Sequence, residues 1–152
     1  MRSRILVPAI LLLSSCSRLQ PLTAEVLDHA EAQWEASKPS AYKLVIEIEG
    51  DRVKKEQFQV HVEMGVMTSL QRNGQPIKIV SGQDYSMNGL FRTLHEEMDL
   101  AQTPQKLGAE AGYSAYMMAK FDGSTGRLIE YQRSVGGISN SIHIRVISFS
   151  PA

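Results

Sequence analysis

The chain alternates apolar and polar positions with the period of two that is typical of a half-buried β-strand. Residues 41–49 follow this pattern, and residues 57–64 repeat it after a turn at Gly50-Asp51. Three similar stretches follow in the second half of the chain, at residues 113–121, 127–135 and 141–149. Strands that are separated by turns rather than by helices predict an antiparallel sheet with one face on a core.

Two shorter stretches extend this sheet. Residues 66–72 form a weaker strand that ends at Asn73-Gly74, a strong hairpin signal because both residues tolerate positive φ. Residues 77–80 then return as a short strand, with Pro76 suited to an edge. The pattern therefore predicts six or seven strands.

Two further segments carry apolar residues at helical spacing. Thr23 can cap the first helix, whose apolar stripe of Leu27, Ala30 and Trp34 ends before Lys38-Pro39. Trp34 could be a ligand platform, but a stripe of this kind usually belongs to the core. Ser86 is the expected cap of the second helix, whose apolar face is Met87, Leu90, Phe91, Leu94 and Met98. We therefore predict a single α+β domain, with two helices packed on one face of the sheet.

The N-terminus follows a different pattern. Two arginines precede the apolar run at residues 5–13. A membrane-spanning helix needs about 20 apolar residues, so this run is too short to span and is typical of a secretory signal peptide. It ends in Leu13-Ser14-Ser15-Cys16, which contains the only cysteine.

These four residues resemble the lipobox of bacterial lipoproteins, Leu-small-small-Cys. The resemblance implies that Cys16 receives a diacylglycerol, that cleavage falls between Ser15 and Cys16, and that the new amine is acylated, for example with palmitate. The alternative is an ordinary secretory signal with an incidental cysteine. In a Gram-negative host, Ser17 rather than Asp implies sorting to the periplasmic side of the outer membrane.

The expected organisation is a signal peptide at residues 1–15, a lipid anchor with a short tether at residues 16–22, and one domain at residues 23–152. The tether after the cysteine reaches at most about 20 Å at 3.3–3.6 Å per residue. We therefore expect the domain to lie close to the bilayer.

Composition narrows the classes of function. The chain has 16 basic and 16 acidic residues, and cleavage would remove Arg2 and Arg4. The mature chain then has no basic excess, so we expect no nucleic-acid partner. Acylation of Cys16 would leave no thiol for a disulfide, a metal site or catalysis.

Candidate chemistry is sparse, and we expect neither a catalytic residue nor a cofactor. Residues 95–99 (His-Glu-Glu-Met-Asp) lack the second histidine of a His-Glu-x-x-His metal site and favour a solvated helix face. His143 and Arg145 share one strand face, where they could hold an anion or simply meet solvent. Six methionines would remain in the mature chain, including Met117-Met118. They could bind copper through thioethers, but packing is their usual role.

Residues 101–112 lack periodicity and contain Pro104, Gly108 and Gly112. Loops of this length without secondary structure are often functional or mobile. This segment is the first candidate for a contact region, with a flexible loop as the alternative.

Several short motifs resemble a group of bacterial secreted and lipid-anchored proteins that carry a small domain of unknown function (number 6174). The motifs are the Trp34 helix, the strand that opens with Tyr42, the Gly65-Val66 turn, the Leu90-Phe91 helix and the Phe121-Asp122…Gly126-Arg127 hairpin. Members often have a cysteine pair after the strand's tyrosine, whereas residues 46–50 here contain none. The resemblance implies a class and an envelope location, and no activity.

The sequence thus predicts a bacterial membrane-anchored lipoprotein that acts as a non-enzymatic binding or envelope-assembly module. Its expected partners are the membrane, through the N-terminal lipid, and an envelope protein. The alternative is a small periplasmic hydrolase or ligand-binding protein with a cavity between sheet and helices.

Overall fold

The fold is built on one antiparallel sheet of eight strands, with two α-helices. The computed structural model describes residues 18–152. The strands are β1 (Gln20–Pro21), β2 (Ala41–Gly50), β3 (Val53–Glu63), β4 (Val66–Arg72), β5 (Gln75–Pro76), β6 (Ala115–Phe121), β7 (Leu128–Val135) and β8 (Ile142–Pro151). The helices are α1 (Ala24–Ser37), α2 (Met87–Ala101) and a 3₁₀ helix at Pro104–Leu107.

The strand order across the sheet is β1-β6-β7-β8-β2-β3-β4-β5. The predicted antiparallel α+β architecture is confirmed, but the predicted number of six or seven strands is wrong. The difference lies at the two edges, where β1 and β5 are pairs of two residues each. Such short edge strands leave no periodic pattern in the sequence.

At one edge, β1 pairs Gln20 with Ala119 and Pro21 with Met118 of β6. The Leu22 amide then donates to the Met117 carbonyl at 3.0 Å, and only 7% of the Leu22 side chain is exposed. Part of the segment that the sequence assigns to the tether is therefore held against the sheet.

At the other edge, the predicted strand at residues 77–80 does not form. The turn at Asn73-Gly74 brings the chain back at Gln75, so the pairing with β4 begins and ends earlier. The Ile77 amide donates to the Leu70 carbonyl at 3.0 Å, and the chain then leaves the sheet.

The core lies between the sheet and the helices. Trp34 is 1% exposed and meets Tyr42 edge to face, with ring centroids 5.6 Å apart. Its indole Nε1 donates to the Asn88 Oδ1 on α2 at 2.8 Å, so it also joins the two helices. The prediction that Trp34 belongs to the core is confirmed.

Helix α2 begins at a tightly packed turn. The Ser86 hydroxyl caps it by accepting from the Gly89 amide at 3.1 Å, and the Tyr42 hydroxyl accepts from the Met87 amide at 3.0 Å. A Cβ added at Gly89 would lie 2.0 Å from the Asp84 carbonyl oxygen. Glycine is therefore required here by the close approach of the preceding turn.

In the chain from residue 18 onward, neither helix is long and apolar enough to cross a bilayer.

Candidate functional site

The residues predicted for cleavage and lipidation, Ser15 and Cys16, lie outside the described residues 18–152. The first described residue, Arg18, is two positions after Cys16, and β1 begins at Gln20. The end of the chain that would carry the lipid therefore leads directly into the edge of the sheet.

A groove of about 450 Å³ opens beside this edge, between the first turns of α1 and the end of β6. Residues of both signs of charge line it, together with apolar ones. They include Arg18, Glu25, Val26, His29, Lys120 and Asp122. The groove thus combines cationic, anionic and apolar groups beside the edge strand β1.

One wall of the groove is the turn between β6 and β7. Its centre is Asp122, whose Oδ1 accepts from the Ser124 hydroxyl at 2.7 Å and from the Thr125 amide at 2.9 Å. These hydrogen bonds lower the pKa of Asp122 to about 2, and the bond from the Ser124 hydroxyl has the largest effect. The negative charge of Asp122 therefore stabilises its own turn.

The turn is also fixed against α1. Gly126 has φ +74°, and a Cβ placed there would lie 2.1 Å from the Ala30 carbonyl oxygen. The Ser37 hydroxyl donates to the Thr125 carbonyl at 2.9 Å. This wall is consequently held by the fold.

A second, smaller cleft of about 250 Å³ lies between α2 and the sheet. Ile48, Ile142 and Ile144 give it an apolar lining, and Asp84 and Arg92 stand among its polar residues. An Arg92 nitrogen lies 3.5 Å from an Asp84 carboxylate oxygen. Of the features of residues 18–152, this cleft most resembles the cavity between sheet and helices that the alternative function predicts.

The two candidate residues on β8 are paired with carboxylates. His143 Nε2 lies 2.7 Å from Glu130 Oε1, and Arg145 bonds Glu47 and, at 3.2 Å, Glu49. A bond from Lys55, followed by one from Arg145, lowers the pKa of Glu47. Glutamates thus occupy the positions that an anion would need, and the geometry does not favour the anion-site hypothesis.

The prediction that residues 95–99 form a solvated helix face is wrong for Glu97. Its carboxylate bonds the Arg133 guanidinium and accepts from the Tyr131 hydroxyl at 3.1 Å. Only 6% of the Arg133 side chain and 13% of that of Glu97 are exposed. His95 lies 2.7 Å from Glu31 of α1. This acidic stretch therefore holds α2 to the sheet and to α1.

Metal binding gains no support from the described part of the chain. Within it, no group of three or more His, Cys, Asp or Glu side chains is placed to hold a metal ion. Two methionine sulfurs accept hydrogen bonds from backbone amides. The Met67 sulfur accepts from the Tyr85 amide and the Met87 sulfur from the Leu128 amide, both at 3.3 Å. Because Met117 and Met118 are consecutive in β6, their side chains point to opposite faces.

The candidate contact region at residues 101–112 is ordered and partly buried. It contains the 3₁₀ helix, and Leu107 and Ala109 pack with Val135 in a second small core. The Asn140 side-chain amide donates to the Leu107 carbonyl at 2.7 Å. Isolated apolar residues such as Leu107 were the sequence signal for this packing, which does not fit a flexible loop. That the segment is a contact region stays a prediction.

Comparison with known proteins finds no family model that matches the chain and no curated protein that matches it. The likeness to lipid-anchored proteins with a small domain of unknown function therefore stays a prediction. A function for this chain has to be inferred from its N-terminal motif and from the geometry of residues 18–152.

Proposed function

We propose that this protein is a bacterial lipoprotein that is acylated at Cys16 after cleavage behind Ser15. In a Gram-negative host it would be held on the periplasmic side of the outer membrane. Its domain acts there as a non-enzymatic binding or envelope-assembly module.

The lipobox-like Leu13-Ser14-Ser15-Cys16 supports the acylation, and the pairing of β1 with β6 supports a position of the domain close to the membrane. The chain from Cys16 to Gln20 spans at most about 14 Å when fully extended. Since Gln20 is hydrogen-bonded to the sheet edge, the lipid would hold that edge at the membrane surface. A domain fixed so close to the bilayer suits contacts with the membrane and with its neighbours.

The uncovered sheet face is the proposed protein-binding surface. It carries Glu47, Glu49, Glu130, His143 and Arg145, whose charges are already paired with one another. The opposite face is occupied by large buried side chains such as Trp34, Tyr131 and Phe91. This filled core favours a surface-binding function over chemistry in an internal cavity.

The alternative is a small periplasmic hydrolase or ligand-binding protein. The cleft beside α2 favours it, because a charged pair, Asp84 and Arg92, stands next to apolar side chains. A calorimetric ligand screen with wild type and Arg92→Ala tests it. Binding that Arg92→Ala abolishes would support the alternative, and an absence of binding in wild type would count against it.

Mass spectrometry of the mature N-terminus, combined with membrane fractionation, tests the main proposal. We expect wild type to begin at Cys16, to carry acyl mass and to sediment with the membrane. The informative pair is Ser15→Ala, which keeps a small residue before the cysteine, and Ser15→Tyr, which does not. Processing should continue in the first and fail in the second. A wild type without acyl mass, together with a membrane-bound Cys16→Ala, would overturn the proposal.

Photo-crosslinking in intact cells tests the binding surface. A photoreactive residue at Gln59 lies on the uncovered face, because its neighbours Phe58 and Val60 point into the core. The matched control is a photoreactive residue at Ala36, which is exposed on α1. We expect an envelope-protein adduct from position 59 and not from position 36. Equal adducts at both positions would contradict the assignment of this face.

A further inference from the structure

The groove between α1 and β6 lies at a defined depth relative to the proposed lipid. Arg18 lines the groove, and its Cα is at most about 7 Å from that of Cys16, two residues away. A diacylglycerol on Cys16 places the sulfur where the glycerol esters meet the headgroups. The headgroup layer is about 5–7 Å thick on each side of a bilayer. The near wall of the groove is therefore at headgroup depth.

The charges in the groove are mixed in sign. Arg18 contributes a positive charge, and Glu25 in the first turn of α1 is exposed and negative. Lys120 also lines the groove, but it is paired with Glu130 of β7, so its side chain leaves β6 on the uncovered face. Asp122 also lines the groove, but it is bonded within its own turn. A phosphodiester pairs well with guanidinium and ammonium groups, and an ammonium group pairs with a carboxylate.

We propose that this groove binds the zwitterionic headgroup of a membrane phospholipid, with the phosphate at Arg18 and the ammonium at Glu25. The proposal rests on the proposed function, because the depth of the groove follows from acylation at Cys16. A purely anionic headgroup fits less well, since it would leave Glu25 facing a like charge.

Binding at this site fixes the orientation of the domain on the bilayer. The groove is at the C-terminal end of β6, and β7, β8 and β2 follow across the sheet with alternating direction. The turn between β2 and β3 is therefore at the opposite end of the sheet. The groove end faces the membrane, and that turn points away from it.

Fluorescence quenching on the acylated full-length protein in vesicles tests this orientation. Once Cys16 is acylated, one introduced cysteine is the only thiol available for an environment-sensitive dye. Val26→Cys places the dye at the groove, where Val26 is 37% exposed. The matched control is Lys54→Cys, an exposed site just after the turn between β2 and β3. With a quencher on phosphatidylethanolamine headgroups, we expect several-fold stronger quenching at position 26.

Charge variants in the Val26→Cys background test the site itself. Arg18→Ser and Glu25→Gln should each weaken the quenching, whereas Lys78→Gln, at an exposed position that does not line the groove, should not. Equal quenching at positions 26 and 54, on protein that carries acyl mass, would overturn the headgroup proposal and leave the lipoprotein proposal standing. An absence of acyl mass would overturn both. Quenching confined to vesicles of anionic phosphatidylglycerol would overturn the zwitterionic assignment.

Discussion

Glu97 of α2 and Arg133 of β7 form an ion pair in the interior of the protein, where each side chain is at most 13% exposed. Arg133 also donates to the Asn140 carbonyl at 2.9 Å, and Glu97 accepts from Tyr131. The pair therefore joins α2, β7 and the segment before β8.

Substitution of Glu97 should be among the most destabilising polar changes in the chain. Glu97→Gln leaves the buried Arg133 charge without its counter-charge, and breaking a buried pair costs about 3–5 kcal/mol. We expect a loss near the lower limit in urea unfolding, because the amide can still accept a hydrogen bond. Glu96→Gln, at the exposed neighbouring position, is the control and should change stability by less than about 0.5 kcal/mol. Equal effects of the two variants would refute the structural role of Glu97.

Gly89→Ala should lower stability, although alanine at a helical position usually stabilises by about 1 kcal/mol relative to glycine. The added methyl group would lie 2.0 Å from the Asp84 carbonyl oxygen, so the turn before α2 must move. Forced overpacking costs about 1–3 kcal/mol. Thermal unfolding measures the change, and Asp99→Ala, at an exposed position of α2, controls for helix propensity. A raised melting temperature in Gly89→Ala would contradict the close packing.

Gly89 illustrates where the sequence pattern stops being informative. Periodicity predicts the apolar face of α2, and the buried residues Met87, Leu90, Phe91 and Leu94 confirm it. The glycine appears in that pattern only as a weakness of the helix. A glycine is needed at this position because the Asp84 backbone lies against it, and contacts between backbone segments leave no periodic signal in the sequence.

Asp122 should contribute to stability in a pH-dependent way. Its folded-state pKa of about 2 lies below the ordinary value, so its contribution is present above about pH 4 and is lost as the pH falls towards 2. Asp122→Asn should therefore reduce stability at neutral pH by about 1 kcal/mol and flatten the decline between pH 4 and 2. Chemical denaturation across this range checks both effects. Asp28→Asn, at an exposed position of α1, should leave the acid profile unchanged.

Alkaline pH should unfold the protein in part through its tyrosines. Burial, followed by the charge of Glu97, raises the pKa of Tyr131, and burial also raises the pKa of Tyr42 and of Tyr85. Unfolded tyrosines lose their protons near pH 10 while these remain protonated, so the contribution of these tyrosines to stability is constant below that pH and falls above it.

The slope of this alkaline decline measures the number of such tyrosines. Tyr131→Phe should make the decline above pH 10 shallower, at a cost of about 1 kcal/mol at neutral pH for the lost hydrogen bond to Glu97. Tyr116→Phe is the matched control, because Tyr116 is 63% exposed. If both variants show the wild-type slope, burial of Tyr131 does not govern the alkaline limb.

The candidate site was less predictable than the fold. The lipobox resemblance directs attention to Cys16, yet the groove beside β1 forms from α1 and β6, which lie far apart in the chain. Arg133 did leave a signal, because it continues the inward alternation of Tyr131 and Val135 on β7. An arginine at an inward-facing strand position predicts a buried carboxylate as its partner. The sequence around Glu97 does not indicate that Glu97 is that partner.

The pairing of Gln20 with Ala119 also constrains the order of folding. About a hundred residues separate the two partners, so β1 cannot dock until the chain has been synthesised as far as Phe121 and β6 has formed. Contacts of such long range are slow to form. The first described strand in the chain is thus among the last that can join the sheet. If Cys16 is acylated during export, the newly attached lipid would precede a segment that has no strand partner until β6 has formed.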